Sequence, residues 1–196
     1  MTLPIMLFDD RKLKPSFGYV FDPTCLEPYE SIVSILWKYA WQNRLPGHLI
    51  TVQLTRKPID PYEGIAACER QVDIREVHNA LGLRLKTVRE SMLPEALHRS
   101  SSPWLRYCRK CLNVGYHSVV HQLNRVEKCP IHDIALITSC QNCGACTPYW
   151  LNALLLDAPY RCSKCRAIYP GILPSLSKRS PMQKWGRTAI TRARFG

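Results

Sequence analysis

No uninterrupted apolar run in this chain approaches the length that crosses a bilayer; stretches such as Ala153–Leu156 are far too short. The opening MTLPIMLFDDRK places its charges after a short apolar stretch, the reverse of a secretory signal. Acidic residues are scarce: 15 Asp and Glu stand against 27 Lys and Arg, for a formal charge of +12. From Ala158 to Gly196 there are nine basic residues and no acidic one. No set of carboxylates converges on a shared motif, which argues against acid–base enzymology. These absences point away from a membrane protein and towards an anionic partner, nucleic acid above all. A merely soluble basic surface is the plain alternative.

Enough is present for a fold. Hydrophobic residues make up 46% of 196, so a real core is expected, as one medium domain or two small ones. The chain has ten cysteines, which without a leader suit a reducing compartment. The expected location is therefore cytoplasmic and, given the charge, nucleoid-associated. In that setting cysteine pairs bind metal more often than they form disulfides.

The cysteines fall into two sets. Cys108 and Cys111, then Cys129 and His132, read Cys-x2-Cys-x17-Cys-x2-His. Cys140 and Cys143, then Cys162 and Cys165, read Cys-x2-Cys-x18-Cys-x2-Cys. A two-residue gap lets both sulfurs of a knuckle face one ion, and a loop of this length can return the second pair to the first. Gly144 follows Cys143 and lets the chain turn where knuckle amides approach the thiolate. Each set offers four ligands, which suits two structural Zn2+ ions with no position left for an activated water. Seven thiolates and two such ions would leave the protein at about +9, still basic. An iron–sulfur centre at the all-cysteine set and a redox pair are the rivals. Cys146 could replace Cys140 by a register slip; otherwise it reads, with Cys25 and Cys68, as a small buried hydrophobe.

The expected architecture is mixed: a small α-helical N-terminal domain with a helix-turn-helix, then a tandem zinc-ribbon module with short β-strands. Residues 1–27 read as an N-terminal arm, 28–100 as the helical domain, 103–172 as the zinc-binding domain and 173–196 as a loosely ordered basic tail. Ser31–Asn43 has helical spacing, with Ile32, Val33, Leu36, Tyr39 and Ala40 on one face, ended by Leu45-Pro46-Gly47. Asp60-Pro61 looks like a helix start running to about Arg70. Asp73-Ile74-Arg75-Glu76 reads as a capping box for a helix to Leu81, with Gly82 after it. A further helix is expected over about Leu85–Leu93, burying Leu85, Val88 and Met92 and presenting Arg84, Lys86 and Arg89. This layout suits entry of the second helix into a DNA major groove, or plain helical packing.

Other cations gather near the first cysteine set: Arg106, Arg109, Lys110, Arg125 and Lys128. With Lys178 and Arg179 of the tail they form the candidate nucleic-acid face; a solvated surface is the alternative. Tyr116, Trp104, Trp150 and Tyr160 could stack on bases or form the small core of the metal module. His117 and His121 could meet nucleic acid, serve as spare ligands, or pack inside the hairpin.

Some of these stretches resemble a known family. Pro28-Tyr29-Glu30-Ser31 before an amphipathic helix looks like the N-terminal helix of the TniQ family. Arg106-Tyr107-Cys108-Arg109-Lys110-Cys111-Leu112, then His121-Gln122-Leu123, then Cys129-Pro130-Ile131-His132, is similar to that family's central signature. Cys140 and Cys143 follow as its next knuckle would. The resemblance spans about residues 28–170. It implies a non-enzymatic target-selection factor of a bacterial transposon, similar to the short members found in CRISPR-associated systems. Expected partners are an AAA+ ATPase transposition regulator, a CRISPR effector complex with its guide RNA, and target DNA; a homodimer is left open. Two departures stand out: His121 occupies the place of a usual tryptophan, and the segment past Pro170 has no placed counterpart. A stand-alone DNA-binding regulator, reading a site through Arg84, Lys86 and Arg89, is the alternative function.

Overall fold

The computed structural model describes residues 18–55, 59–175 and 181–195. Helices dominate: α1 Ile32–Asn43, α2 Gly47–Gln53, α3 Ile74–Leu81, α4 Leu85–Glu90, α5 Glu95–His98, α6 Arg109–Asn113, α7 Ala153–Leu156 and α8 Lys184–Phe195. One two-stranded antiparallel sheet joins β1 Ile65–Ala66 to β2 Trp150–Leu151, with Ile65 opposite Leu151. Elsewhere the metal-ligand region is tied by single bridges such as Tyr107 with Ile137 and Arg161 with Ile168, shorter still than the short strands expected.

Helix α1 begins where expected. Ser31 caps it, its hydroxyl accepting from the Ser34 amide. Its burial exceeds one face, because every residue from Ile32 to Ala40 is buried. It is the axis on which both halves of the chain pack. Trp37 donates through Nε1 to the Leu155 carbonyl at 2.8 Å, and its ring lies 5.1 Å from that of Tyr160. The main core accordingly runs from Ile32, Leu36 and Val77 through Leu112 and Cys140 to Leu151 and Cys162. It crosses Ser100–Pro103 without a break, although that segment reads as a boundary in sequence.

Lys38 is completely buried within this helix. Its Nζ lies 2.5 Å from Glu30 Oε1 and donates to the Cys25 carbonyl at 2.7 Å. Glu30 also accepts from the Ser34 hydroxyl and the Glu27 amide. The charge is thus paired and its partners are hydrogen-bonded, which burial of an ion requires.

Helix α2 was not legible in sequence. Leu45-Pro46-Gly47 ends α1, as expected, through a left-handed Arg44, and Pro46 then starts the next helix. Gly47 is there because α7 passes close: a Cβ would come within 2.5 Å of the Ala153 carbonyl oxygen and 2.8 Å of the Asp157 nitrogen. Asp157 completes this joint by accepting from the Gly47 amide.

The helix expected from Asp60 to Arg70 does not form. Asp60 does accept from the Tyr62 amide, but as a turn. Gly64 then adopts a left-handed φ of +77°, and β1 pairs with β2 instead. A partner strand 85 residues later outweighs the local start signal, and no local pattern announces it. Helix α3 starts at the expected cap, with Asp73 accepting from the Arg75 and Glu76 amides and Gly82 left-handed; the return bond of a capping box is replaced, because the Asp73 amide donates to the Leu54 carbonyl. Helix α4 stops at Glu90, short of Leu93. Val88 and Met92 are buried, but Leu85 is exposed with Arg84, Lys86 and Arg89, because its side chain lies on the outward first turn.

The described part of the N-terminal arm is held by α1. Asn43 bonds both the amide and the carbonyl of Val20, and Phe21 packs against Tyr39. The terminal segment also differs from expectation, for Lys184–Phe195 is a helix rather than a loose tail. Its Gly186, Ile190 and Arg194 are buried at a four-residue spacing. Ile190 packs with Leu93, Val119, Val120 and Leu123. Basic residues on the other faces mask this stripe in the composition. Among the described residues no helix is long and apolar enough to cross a membrane.

Candidate metal centres

Cys108 stands just before α6 and Cys111 within it, so the helical turn aims both sulfurs the same way. Cys129 and His132 lie in a tight turn closed by the Asp133 amide on the Cys129 carbonyl. The ligand atoms of all four fall within 4.8 Å of one another. Sulfurs of Cys111 and Cys129 are 3.6 Å apart, and His132 Nδ1 is 3.3 to 3.6 Å from the three sulfurs. Metal–ligand bonds of about 2.3 Å to sulfur and 2.0 Å to nitrogen give tetrahedron edges of about 3.8 and 3.5 Å. The quartet therefore fits one zinc ion, and its sulfurs are much too far apart for a disulfide.

The second quartet is built from two similar turns. The Gly144 amide donates to the Cys140 carbonyl and the Arg166 amide to the Cys162 carbonyl. Cys140 and Cys165 sulfurs are 3.6 Å apart, and those of Cys143 and Cys162 3.8 Å. These four also lie within 4.8 Å of one another. Cys146 is exposed and outside the quartet, and Cys140 is the one that fits a ligand position, in line with Gly144 following Cys143. A zinc ion in each quartet would cross-link segments about 20 residues apart and leave no ligand position for a reacting water.

Crowded thiols share protons unevenly. Hydrogen bonds from Cys111 and Cys129 hold Cys108 down at about 3, whereas the bond with Cys108 pushes the buried Cys111 well above the ordinary thiol range. The Ala167 backbone amide, then Asn142, bring Cys165 down to about 6. Amide donation of this kind is what the knuckle turn supplies to a metal-bound thiolate.

Both histidines of the first loop are interior. His117 is completely buried, and burial pushes it down to about 4. Its Nε2 lies 2.8 Å from the Arg106 carbonyl, which can only accept, so that nitrogen carries the proton. Nδ1 then accepts from the Ser31 hydroxyl at 2.6 Å. The cap of α1 and the loop of the first metal centre are thereby one hydrogen-bonded unit. His121 is equally buried, and burial holds its pKa below the ordinary histidine value, with the neighbouring Cys129 sulfur offsetting only part of that. Neither ring belongs to a ligand quartet or reaches solvent: His117 ties two segments by hydrogen bonds, and His121 is packed in the interior.

The candidate cations divide. Arg106 donates to the Leu123 and Val126 carbonyls, and Arg125 to the Ala193 and Arg194 carbonyls at the end of α8. Both hold structure. Lys128 lies 3.5 Å from Asp133, Lys86 3.9 Å from Glu90 and Arg89 3.9 Å from Glu69. Arg109 reaches Gln141 and is exposed, as are Lys110 and Arg84. Lys178 and Arg179 lie outside the described residues. Of the aromatics, Tyr116 and Tyr160 are core, while Trp104 and Trp150 are half exposed.

The reading of charge by cluster missed α8. Its outward side carries Lys184, Trp185, Thr188 and Arg192, and the signal was available: a four-residue spacing from 184 to 192 with no acidic neighbour. No protein-family model matches the chain, and no curated protein matches it.

Proposed function

We propose that this chain is a non-enzymatic target-selection adaptor of a transposon, of the short TniQ kind. It would link an RNA-guided CRISPR effector complex to an AAA+ ATPase regulator on target DNA. The observation that carries the reading is the pair of four-ligand clusters, Cys108–Cys111–Cys129–His132 and Cys140–Cys143–Cys162–Cys165; the first, and the Cys140–Cys143 knuckle after it, are the ones that resemble the family's motif. Closed zinc sites hold shape and do not turn over substrate. The Glu30-Ser31 pair of the same signature has a matching structural part: Glu30 neutralises Lys38, and Ser31 joins α1 to His117. The mechanism is positioning. A rigid basic body holds one partner at high local concentration beside another, and its free cations neutralise phosphates.

Co-purification from cells carrying the neighbouring genes tests this. Recovery of an AAA+ ATPase together with an RNA-guided complex is expected; recovery of DNA alone would sink the adaptor. The second reading is a helix-turn-helix regulator, favoured by the exposed Arg84, Leu85 and Lys86 on the first turn of α4. Such a reader loses on the order of 10³-fold in affinity on sequence-scrambled DNA, whereas the adaptor loses very little.

A further inference from the structure

We infer that the outward face of α8 is a binding surface for single-stranded polynucleotide, with Trp185 as a stacking platform and Lys184 and Arg192 as phosphate contacts. This deepens the nucleic-acid part of the proposed function and rests on it.

Two other cations of α8 have structural partners. Arg187 lies 3.5 Å from Glu27, and Arg194 donates to the Met92 carbonyl with its guanidinium 5.3 Å over the Tyr29 ring. Lys184 and Arg192 are exposed, and at residues i and i+8 they lie on one side of the helix, about 12 Å apart along its axis. Trp185, one residue after Lys184 and two turns before Arg192 on nearly the same line of the helix, is 59% exposed. Together with Thr188 and Ala189 these three side chains line one open surface depression. The apolar stripe of the helix is buried through Gly186 and Ile190; Trp185 borders the apolar depression beside Ile131 and Met182 with one edge, and most of its surface stays open to solvent. A large aromatic held open between two cations, with no acidic residue on the same helix, has the chemistry that takes an unpaired base and its flanking phosphates. An interfacial membrane helix would instead offer its apolar stripe to lipid, and here that stripe faces protein.

The test uses the full chain with zinc bound. Affinity for fluorescent single-stranded RNA and DNA is measured across salt, beside duplex DNA and anionic phosphatidylserine vesicles. Trp185→Ala should weaken single-strand binding on the order of 10-fold or more. Trp185→Phe, which keeps an aromatic face, should recover most of that loss. Lys184→Gln with Arg192→Gln should reduce the slope of log K against log salt by about 1.4, at about 0.7 per contact. Arg75→Gln with Arg99→Gln removes the same charge from exposed positions elsewhere and should leave that slope within about 0.3 of the parent. The comparison of RNA with DNA identifies which strand the face prefers. If the parent chain binds strands tightly and the α8 variants bind as well as it does, the inference fails while the adaptor stands. If the parent binds no polynucleotide, the nucleic-acid part of both fails. Preference for duplex, or for vesicles, with equal loss in Trp185→Phe and Trp185→Ala, overturns the stacking assignment.

Discussion

At the scale of single residues, the Ser31–His117 contact has consequences that can be measured. Ser31 does two things with one oxygen: it accepts from the Ser34 amide and donates to His117. Ser31→Ala should cost about 2 to 3 kcal/mol, a cap and a stranded imidazole nitrogen together. For a chain of this size that is a fall in Tm of roughly 4–12 °C, read by circular dichroism. His117 adds a pH dependence. Its folded pKa, about 4, lies below the ordinary histidine value, so the unfolded chain takes up the proton first. Stability is full above about pH 6.5 and falls as pH drops towards 4, by about 2 kcal/mol between pH 7 and 5. The difference in unfolding free energy between parent and His117→Gln, from denaturant titrations, should shrink by that amount over the interval. Among the cysteines, Cys140→Ser should remove one of two zinc equivalents in native mass spectrometry, and Cys146→Ser should remove none. Equal losses would return Cys146 to the ligand set.

At the scale of elements, what decides each one is whether its partner is near in the chain. The caps Ser31 and Asp73 act within three residues, and α1 and α3 begin where the sequence says they should. β1 depends on β2 and α2 depends on α7, and the helix signal at Asp60 loses to the first of these contacts. The α2–α7 joint can be tested at Gly47. A methyl group there meets backbone and Leu156 Cβ, none of which yields easily. Gly47→Ala should therefore destabilise by about 1 to 3 kcal/mol through overpacking, even though alanine favours helices elsewhere. A rise in Tm would show that α7 can move away.

At the scale of the whole molecule, the helical part and the metal-ligand part share one core. Cys140 and Cys162, ligands of the second quartet, pack in the same cluster as α1. Chelation of zinc should therefore lower helix content and stability throughout, in one transition, rather than melt a detached module. A fragment covering residues 18–102 should show no cooperative unfolding, because Trp37 loses Leu155 and Tyr160, which cover it. If the fragment melts sharply near the parent temperature, the two parts are separate domains. Helix α8 strengthens the union, since Arg194 reaches Met92 while Arg125 holds the end of the same helix.

The sequence by itself determined the two ligand quartets, the start of α1 and the whole of α3. In each case the chemistry is local, set by residues a turn apart or by knuckles whose spacing states their purpose. It could also show that the chain is basic. Only the tertiary structure decided which cations are free, because a guanidinium such as Arg106 or Arg125 looks the same in sequence whether it faces water or holds a carbonyl from a distant segment. It likewise decided that His117 and His121 are interior and that the basic C-terminal segment is a packed helix. Those outcomes depend on contacts across tens of residues, and their energy comes from burial, which no local spacing records.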